Sequence, residues 1–182
     1  MTDTDERELR FRRLYDENFS SIQAYAVNRV APADDVPDIV AEVFTTAWRR
    51  LDDLPPPPAD RLWLYGTARK VISRHYRSTG RLRNLVERVT AGERSTARPE
   101  IDPAREQLLA AIAKLRAGDR EALMLVYWEE LSYAEAAKVL GCSVNAVGTR
   151  VHRAKNRLRE TFSTESRLPA FVMNANGVTD GS

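Results

Sequence analysis

Two groups of side chains in this sequence are of types that do chemistry. The first is small: one cysteine, Cys142, and two histidines, His75 and His152, in 182 residues. A disulfide within the chain needs a second cysteine, and a zinc site of the Cys/His kind needs about four such ligands. Cys142 follows a glycine between two predicted helices and reads as a small filler in a turn. No Gly-rich phosphate cradle and no spaced set of carboxylates or nucleophiles accompanies these residues. The sequence therefore points to no catalytic residue, no metal and no cofactor, which argues against an enzyme with an accessory DNA-binding part. The second group is Ser143, Asn145, Thr149, Arg150 and Arg153, followed by Arg157 and Arg159. Arg and Asn present paired donors and acceptors that match base edges in a DNA major groove, while hydroxyls and further arginines suit phosphates.

The elements that must hold this second group are written in local signals. Ser132 precedes Glu135 by three residues, a capping box that starts a helix at Tyr133. Ala136, Ala137 and Leu140 fall on one face of it. Gly141 follows, where a chain leaves a helix in a left-handed conformation. Ser143 can cap the next helix, whose Val144, Val147, Val151, Ala154 and Leu158 recur at spacings of three and four and predict a continuous buried stripe. Helices joined only by Gly141, Cys142 and Ser143 must cross steeply, which suits the small Ala137 and the branched Val147 at the crossing. The pattern predicts a helix-turn-helix over residues 132–160 that presents Asn145, Ala146, Thr149, Arg150, His152 and Arg153 outward. An ordinary helical hairpin with basic surface residues is the competing reading. The concurrence of cap, small residue, glycine turn and basic second helix favours the helix-turn-helix.

The remaining sequence reads as helical throughout. With 43% apolar and 30% charged residues it has the composition of a soluble globular protein. No apolar run approaches the roughly 20 residues that span a bilayer, and the acidic, polar start is no secretory signal, so a cytoplasmic location is expected. An opening helix carries Phe11, Leu14, Tyr15, Phe19, Ile22, Tyr25, Ala26 and Val30, and Pro32 ends it. A second helix is predicted over residues 37–51, with Asp34 and Asp35 capping it and Ile39, Val40, Val43, Phe44, Ala47, Trp48 and Leu51 as its stripe. Four prolines at 55–58 predict an extended loop. A third helix is expected over 60–77, with Leu64, Ala68, Val71 and Ile72 inward, and a shorter one over 82–89. The composition shift between Thr90 and Pro103 reads as a linker. The expected fold is thus all-α: two small helical domains over 1–90 and 104–162, joined by a flexible linker at 91–103 and followed by a flexible tail at 163–182. Net charge is only +2, yet residues 34–53 hold six acidic and two basic side chains, and residues 61–94 hold nine basic and two acidic. Such asymmetry suggests different partners for different faces.

Four stretches, in order, carry a resemblance: FRRLYDENFSSIQAYAVNRV, DDVPDIVAEVFTTAWRRL, WLYGTARKVISRHYR and LSYAEAAKVLGCSVNAVGTRVHRAKNRLRE. Together they span about residues 9–160 and resemble the extracytoplasmic-function (ECF) group of bacterial sigma factors, promoter-specificity subunits of RNA polymerase. The resemblance implies that the acidic, aromatic second helix binds a coiled coil on the clamp of core RNA polymerase through Asp38, Glu42, Phe44, Trp48 and Arg49. It implies that the third helix meets the melted minus-ten promoter element through Arg69, Lys70, Arg74, His75 and Arg77. Trp63 and Tyr65 then pack inside, and the loop over 53–60 offers a pocket to a flipped base. The minus-thirty-five element falls to Ser143, Asn145, Thr149, Arg150 and Arg153, and the linker runs towards the polymerase active centre and RNA exit path. Implied partners are core RNA polymerase, promoter DNA and, as for many members, an anti-sigma factor; no small-molecule substrate and no direct membrane insertion are implied. The sequence departs from the family pattern where Ala41 replaces a common Gln, where Lys70 and Ser73 replace Asn and Asp, in the four-proline loop and in the tail after Thr161. The alternative from the residues alone is a free-standing helix-turn-helix regulator, binding an operator without polymerase.

Overall fold

The structure, a computed structural model, describes residues 3–79 and 103–163. The expected helix over 82–89, the linker and the tail lie outside the described residues. Those residues form seven α-helices: α1 (Asp3–Val27), α2 (Val36–Arg49), α3 (Ala59–Thr79), α4 (Pro103–Ala113), α5 (Ala117–Tyr127), α6 (Tyr133–Leu140) and α7 (Val144–Ser163). Short 3-10 turns occupy Ala33–Asp35 and Leu51–Asp53, and there is no strand among the described residues. The chain separates into two compact units, in line with the expected all-α class.

In the first unit α1, α2 and α3 pack on one another. Leu14, Ile22, Tyr25 and Ala26 of α1 meet Ile39, Val40, Val43, Phe44 and Ala47 of α2 and Leu64, Tyr65, Ala68, Val71 and Ile72 of α3, all buried. Each large side chain among them contributes about 1.5–3 kcal/mol on leaving water. Three details differ from the sequence reading. First, α1 ends at Val27, well before Pro32, because the N–H groups of Arg29 and Val30 both turn back to Ala26 O. The Tyr76 hydroxyl of α3 holds this corner, donating to Arg29 O at 2.8 Å and accepting from Ala31 N at 2.9 Å. Second, neither Asp34 nor Asp35 caps α2 with its side chain. They form the preceding 3-10 turn, and the Asp35 carboxylate is drawn to His75 instead. The helix stops at Arg49, so Leu51 is buried from the following 3-10 turn. Third, the proline loop is extended only in its first half; Pro57 and Pro58, joined by a cis peptide bond, turn directly into α3.

In the second unit α7 is the central element, packed on α5 and more lightly on α4. Its core joins Ile112, Leu115, Leu123 and Leu125 to Ala136, Ala137, Val147, Val151, Ala154, Leu158 and Phe162. Arg120 Nη1 donates to Ala113 O at 2.9 Å, which satisfies a carbonyl at the end of α4. The chain leaves α5 through Glu130 at φ 55°, with the N–H of Leu131 reaching Leu125 O at 3.0 Å. This is the geometry of a glycine-type helix end built without glycine.

Candidate nucleic-acid interface

The helix-turn-helix forms as its capping signals dictate. Ser132 N donates to the Glu135 carboxylate at 2.8 Å, and Glu135 N donates back to Ser132 Oγ at 3.2 Å. This reciprocal box satisfies the first free donors of α6 and contributes about 1 kcal/mol. Gly141 ends α6 at φ 65°, with Cys142 N donating to Ala137 O at 3.1 Å. Ala146 N donates to Ser143 Oγ at 3.1 Å, so Ser143 caps α7. These bonds fix the turn, and the turn aims the recognition helix.

The exposed side of α7 carries Asn145, Thr149, His152, Arg153 and Arg157. The Thr149 hydroxyl donates to Asn145 O at 3.0 Å, and the amide of Asn156 lies 3.0 Å from His152 Nε2. Val144 breaks the predicted buried stripe: it is 50% exposed, while Val147 and Val151 are buried. The reason is position. Val144 is the first residue of α7, so no preceding turn of the helix shelters it. The two arginines are not free-hanging. Arg150 is half-buried, its guanidinium 3.8 Å from where a Cβ on Gly118 would stand and its Nη1 3.7 Å from Cys142 Sγ. Arg153 Nη2 donates to Asp119 Oδ1 at 2.7 Å, across to the first turn of α5. Asp119 is a site residue that the sequence reading missed, because the pair joins side chains 34 positions apart. Gly148 also lies on this helix; a Cβ there would meet the Tyr133 ring at 3.6 Å, an ordinary van der Waals distance.

In the first unit α2 and α3 each present one charged face. Asp38, Glu42 and Arg49 share the exposed side of α2, with Trp48 at its margin. Trp48 stands edge-on to Phe11 at 5.2 Å, with the Arg7 guanidinium 5.3 Å from its ring. Phe44 is elsewhere: it is 4% exposed and packs against Tyr15 and Phe19, so it belongs to the core. On α3, Arg69, Lys70, Arg74 and Arg77 share an exposed face. His75 lies off that face, and its Nε2 is 3.0 Å from Asp35 Oδ2. Arg74 in turn forms an ion pair with Glu42, which links the acidic and the basic face. Both partners are well exposed, and such pairs contribute little to stability. Trp63 is half-buried beside Arg50, and Tyr65 is buried. Between α1 and the proline loop lies a cavity of about 380 Å³, bordered by Arg10, Arg13, Glu17, Leu54, Pro57 and Asp60. Arg10 Nη2 braces it by donating to Leu54 O at 3.1 Å.

One basic side chain of α7 faces inward. Lys155 is 8% exposed, with its ammonium 3.4 Å from the Tyr127 hydroxyl. Burial, helped by the nearby Arg159 charge, lowers the Lys155 pKa from the ordinary lysine value. Burial likewise raises Tyr127, against a smaller opposing pull from Arg159. Lys155 is thus part of the scaffold behind the exposed side of α7. Among the described residues no group of three or more His, Cys, Asp or Glu side chains is placed to hold a metal ion, and no helix is long and apolar enough to cross a membrane.

Comparison with known proteins places both units. Residues 14–82 match the family described as Sigma-70 region 2, and residues 105–158 match Sigma-70, region 4. The ECF RNA polymerase sigma factor SigL of Mycobacterium tuberculosis is 33% identical over 159 residues, covering 83% of this chain and 88% of that protein. The RNA polymerase sigma factor CnrH of Cupriavidus metallidurans is 32% identical over 148 residues, covering 74% and 77%. The solved structure of CnrH in complex with the cytosolic domain of CnrY superposes with a TM-score of 0.64 at 28% identity, covering 86% of this chain and 89% of that one.

Proposed function

The chain belongs to the ECF sigma factors, and we propose that it is an alternative sigma factor that binds core RNA polymerase and directs it to a specific class of promoters. The observation that carries this reading is the pairing of two matched regions in one chain, region 2 at residues 14–82 and region 4 at 105–158. In this reading residues 1–90 form the domain for the polymerase clamp and the minus-ten element, 91–103 the linker, and 104–162 the domain for the minus-thirty-five element. Asp38, Glu42, Arg49 and the margin residue Trp48 meet the polymerase clamp. Arg69, Lys70, Arg74 and Arg77 meet the melted minus-ten strand, and the cavity beside the proline loop receives an unpaired base. Phe44 and His75 act indirectly, Phe44 by packing α2 on α1 and His75 by joining α3 to the Asp35 turn. Ser143, Asn145, Thr149, Arg150 and Arg153 form the minus-thirty-five face. An anti-sigma factor is a further partner in this reading, supported by the complex that CnrH forms with the cytosolic domain of CnrY.

The mechanism follows from charge and geometry. With net charge +2, neither unit has the electrostatic grip of a free-standing DNA binder. A polymerase that holds both at a fixed separation makes the second contact effectively intramolecular, and two weak sites act as one. Strand opening then draws on binding energy for unpaired bases. The test is reconstitution: the purified chain is added to core polymerase on a genomic template, and transcript 5′ ends are mapped. Initiation at a defined promoter set that is lost without the chain is the expected result. Tight operator binding without polymerase, and no change in initiation, would instead mark a free-standing regulator.

A further inference from the structure

Asp119 stands in the first turn of α5, and its side chain is 8% exposed. A carboxylate so far from water needs a charged or hydrogen-bonding partner. The partner comes from the recognition helix: Arg153 Nη2 donates to Asp119 Oδ1 at 2.7 Å. Arg153 itself is 52% exposed, so one edge of its guanidinium is held inside the protein while the rest faces outward beside Thr149. Arg150 rests on the same turn, over Gly118. The start of α5 is therefore a shelf beneath both arginines of the reading face.

An arginine has five N–H donors, and Asp119 Oδ1 engages one of them. The others still include a pair able to fork onto the O6 and N7 of a guanine. A loose arginine loses rotamer entropy when it is ordered. An arginine already clamped by a buried carboxylate loses less on binding, and it points one way. We propose that Asp119 is a positioning residue for promoter recognition: its buried carboxylate sets the Arg153 guanidinium so that it reads one base pair of the minus-thirty-five element. This rests on the assignment of Arg153 to the reading face under the proposed function.

The test uses holoenzyme assembled from core polymerase and the full chain. Duplexes are selected from a pool whose upstream segment is randomised, and the bound fraction is sequenced. The chains compared are wild type, Arg153→Ala, Asp119→Asn, Asp119→Glu and the Arg153→Ala/Asp119→Asn double variant. Arg153→Ala is expected to flatten the base preference at one position by about tenfold, the scale of one fork contact. Asp119→Asn flattens that same position and leaves the others, and the double variant is no flatter than Arg153→Ala. Asp119→Glu, which keeps the charge but shifts it by one methylene, weakens the same position alone and covers the case in which the Asn variant does not fold. Full preference at that position in the Asp119 variants overturns the proposal, and so does equal flattening at every position, which marks a purely structural residue. If Arg153→Ala itself changes no preference, the assignment of Arg153 to the reading face fails and the role of Asp119 falls with it. That outcome is told apart from failure of Asp119 alone by the Arg153→Ala pool.

Discussion

Single residues in this protein divide between those that hold helices together and those that face a partner, and burial separates two residues that sequence placed side by side. Phe44 and Trp48 lie one turn apart on α2, yet the first is buried and the second lies at the solvent margin. Phe44→Ala is expected to cost about 3–5 kcal/mol, enough to unfold much of the first unit. Trp48→Ala, which loses the edge contact with Phe11, is expected to cost only about 1 kcal/mol and to weaken capture by core polymerase in a pull-down. Equal loss of stability in both variants would place Trp48 in the core as well. Lys155 gives a pH-dependent case. Its folded pKa lies below the ordinary value, so between the two values the unfolded chain binds more protons and stability rises with pH. The raised pKa values of Tyr127 and Tyr133 act in the opposite sense, and only once pH passes the ordinary tyrosine value of 10.0. Urea titrations at pH 7 and at a pH close to the ordinary lysine value of 10.5 should therefore show wild type gaining on Lys155→Met as pH rises. A difference that does not move with pH would mean that burial leaves the ammonium unaffected.

At the scale of elements, two helix ends solve the same problem with different residues. Gly141 and Glu130 both adopt positive φ, and among the described residues no neighbouring atom stands within 4 Å of a Cβ built on Gly141. Gly141→Ala should thus cost about 1 kcal/mol from backbone conformation alone. Glu130→Gly should gain up to about 1 kcal/mol by relieving the same penalty. Thermal melts of the two variants check both signs, and a stabilised Gly141→Ala would contradict the assigned geometry. These two ends also mark what was legible in the sequence. The box at Ser132 and Glu135, the glycine at 141 and the cap at Ser143 act over three or four residues, so the spacing alone disclosed them. Glu130 gave no sign, since the residue type does not favour its conformation. The stripe of α7 failed at Val144 because periodicity does not register that the first residue of a helix has no preceding turn to shelter it. The pairs Asp35–His75, Glu42–Arg74 and Asp119–Arg153 were illegible for another reason: each joins residues far apart in the chain, and charge type alone does not choose the partner.

For the molecule as a whole, salt should isolate the part that the basic face of α3 plays in holoenzyme. Lys70→Ala combined with Arg77→Ala removes two exposed cations of α3. In holoenzyme this is expected to lower the slope of log affinity against log salt by roughly 1.4–1.8, at about 0.7–0.9 for each phosphate that is no longer neutralised. An unchanged slope in a filter-binding series would move the minus-ten contact off this face. A last consequence lies in Gly148. It sits in the middle of the recognition helix, where glycine costs about 1 kcal/mol relative to alanine. Among the described residues, the atoms near its missing Cβ belong to the Tyr133 ring, at ordinary contact distance. The position admits a methyl group without rebuilding anything around it. In evolutionary terms the helix holds a reserve: one codon change to alanine at this site can firm it while the caps, the turn and the core that aim it stay as they are.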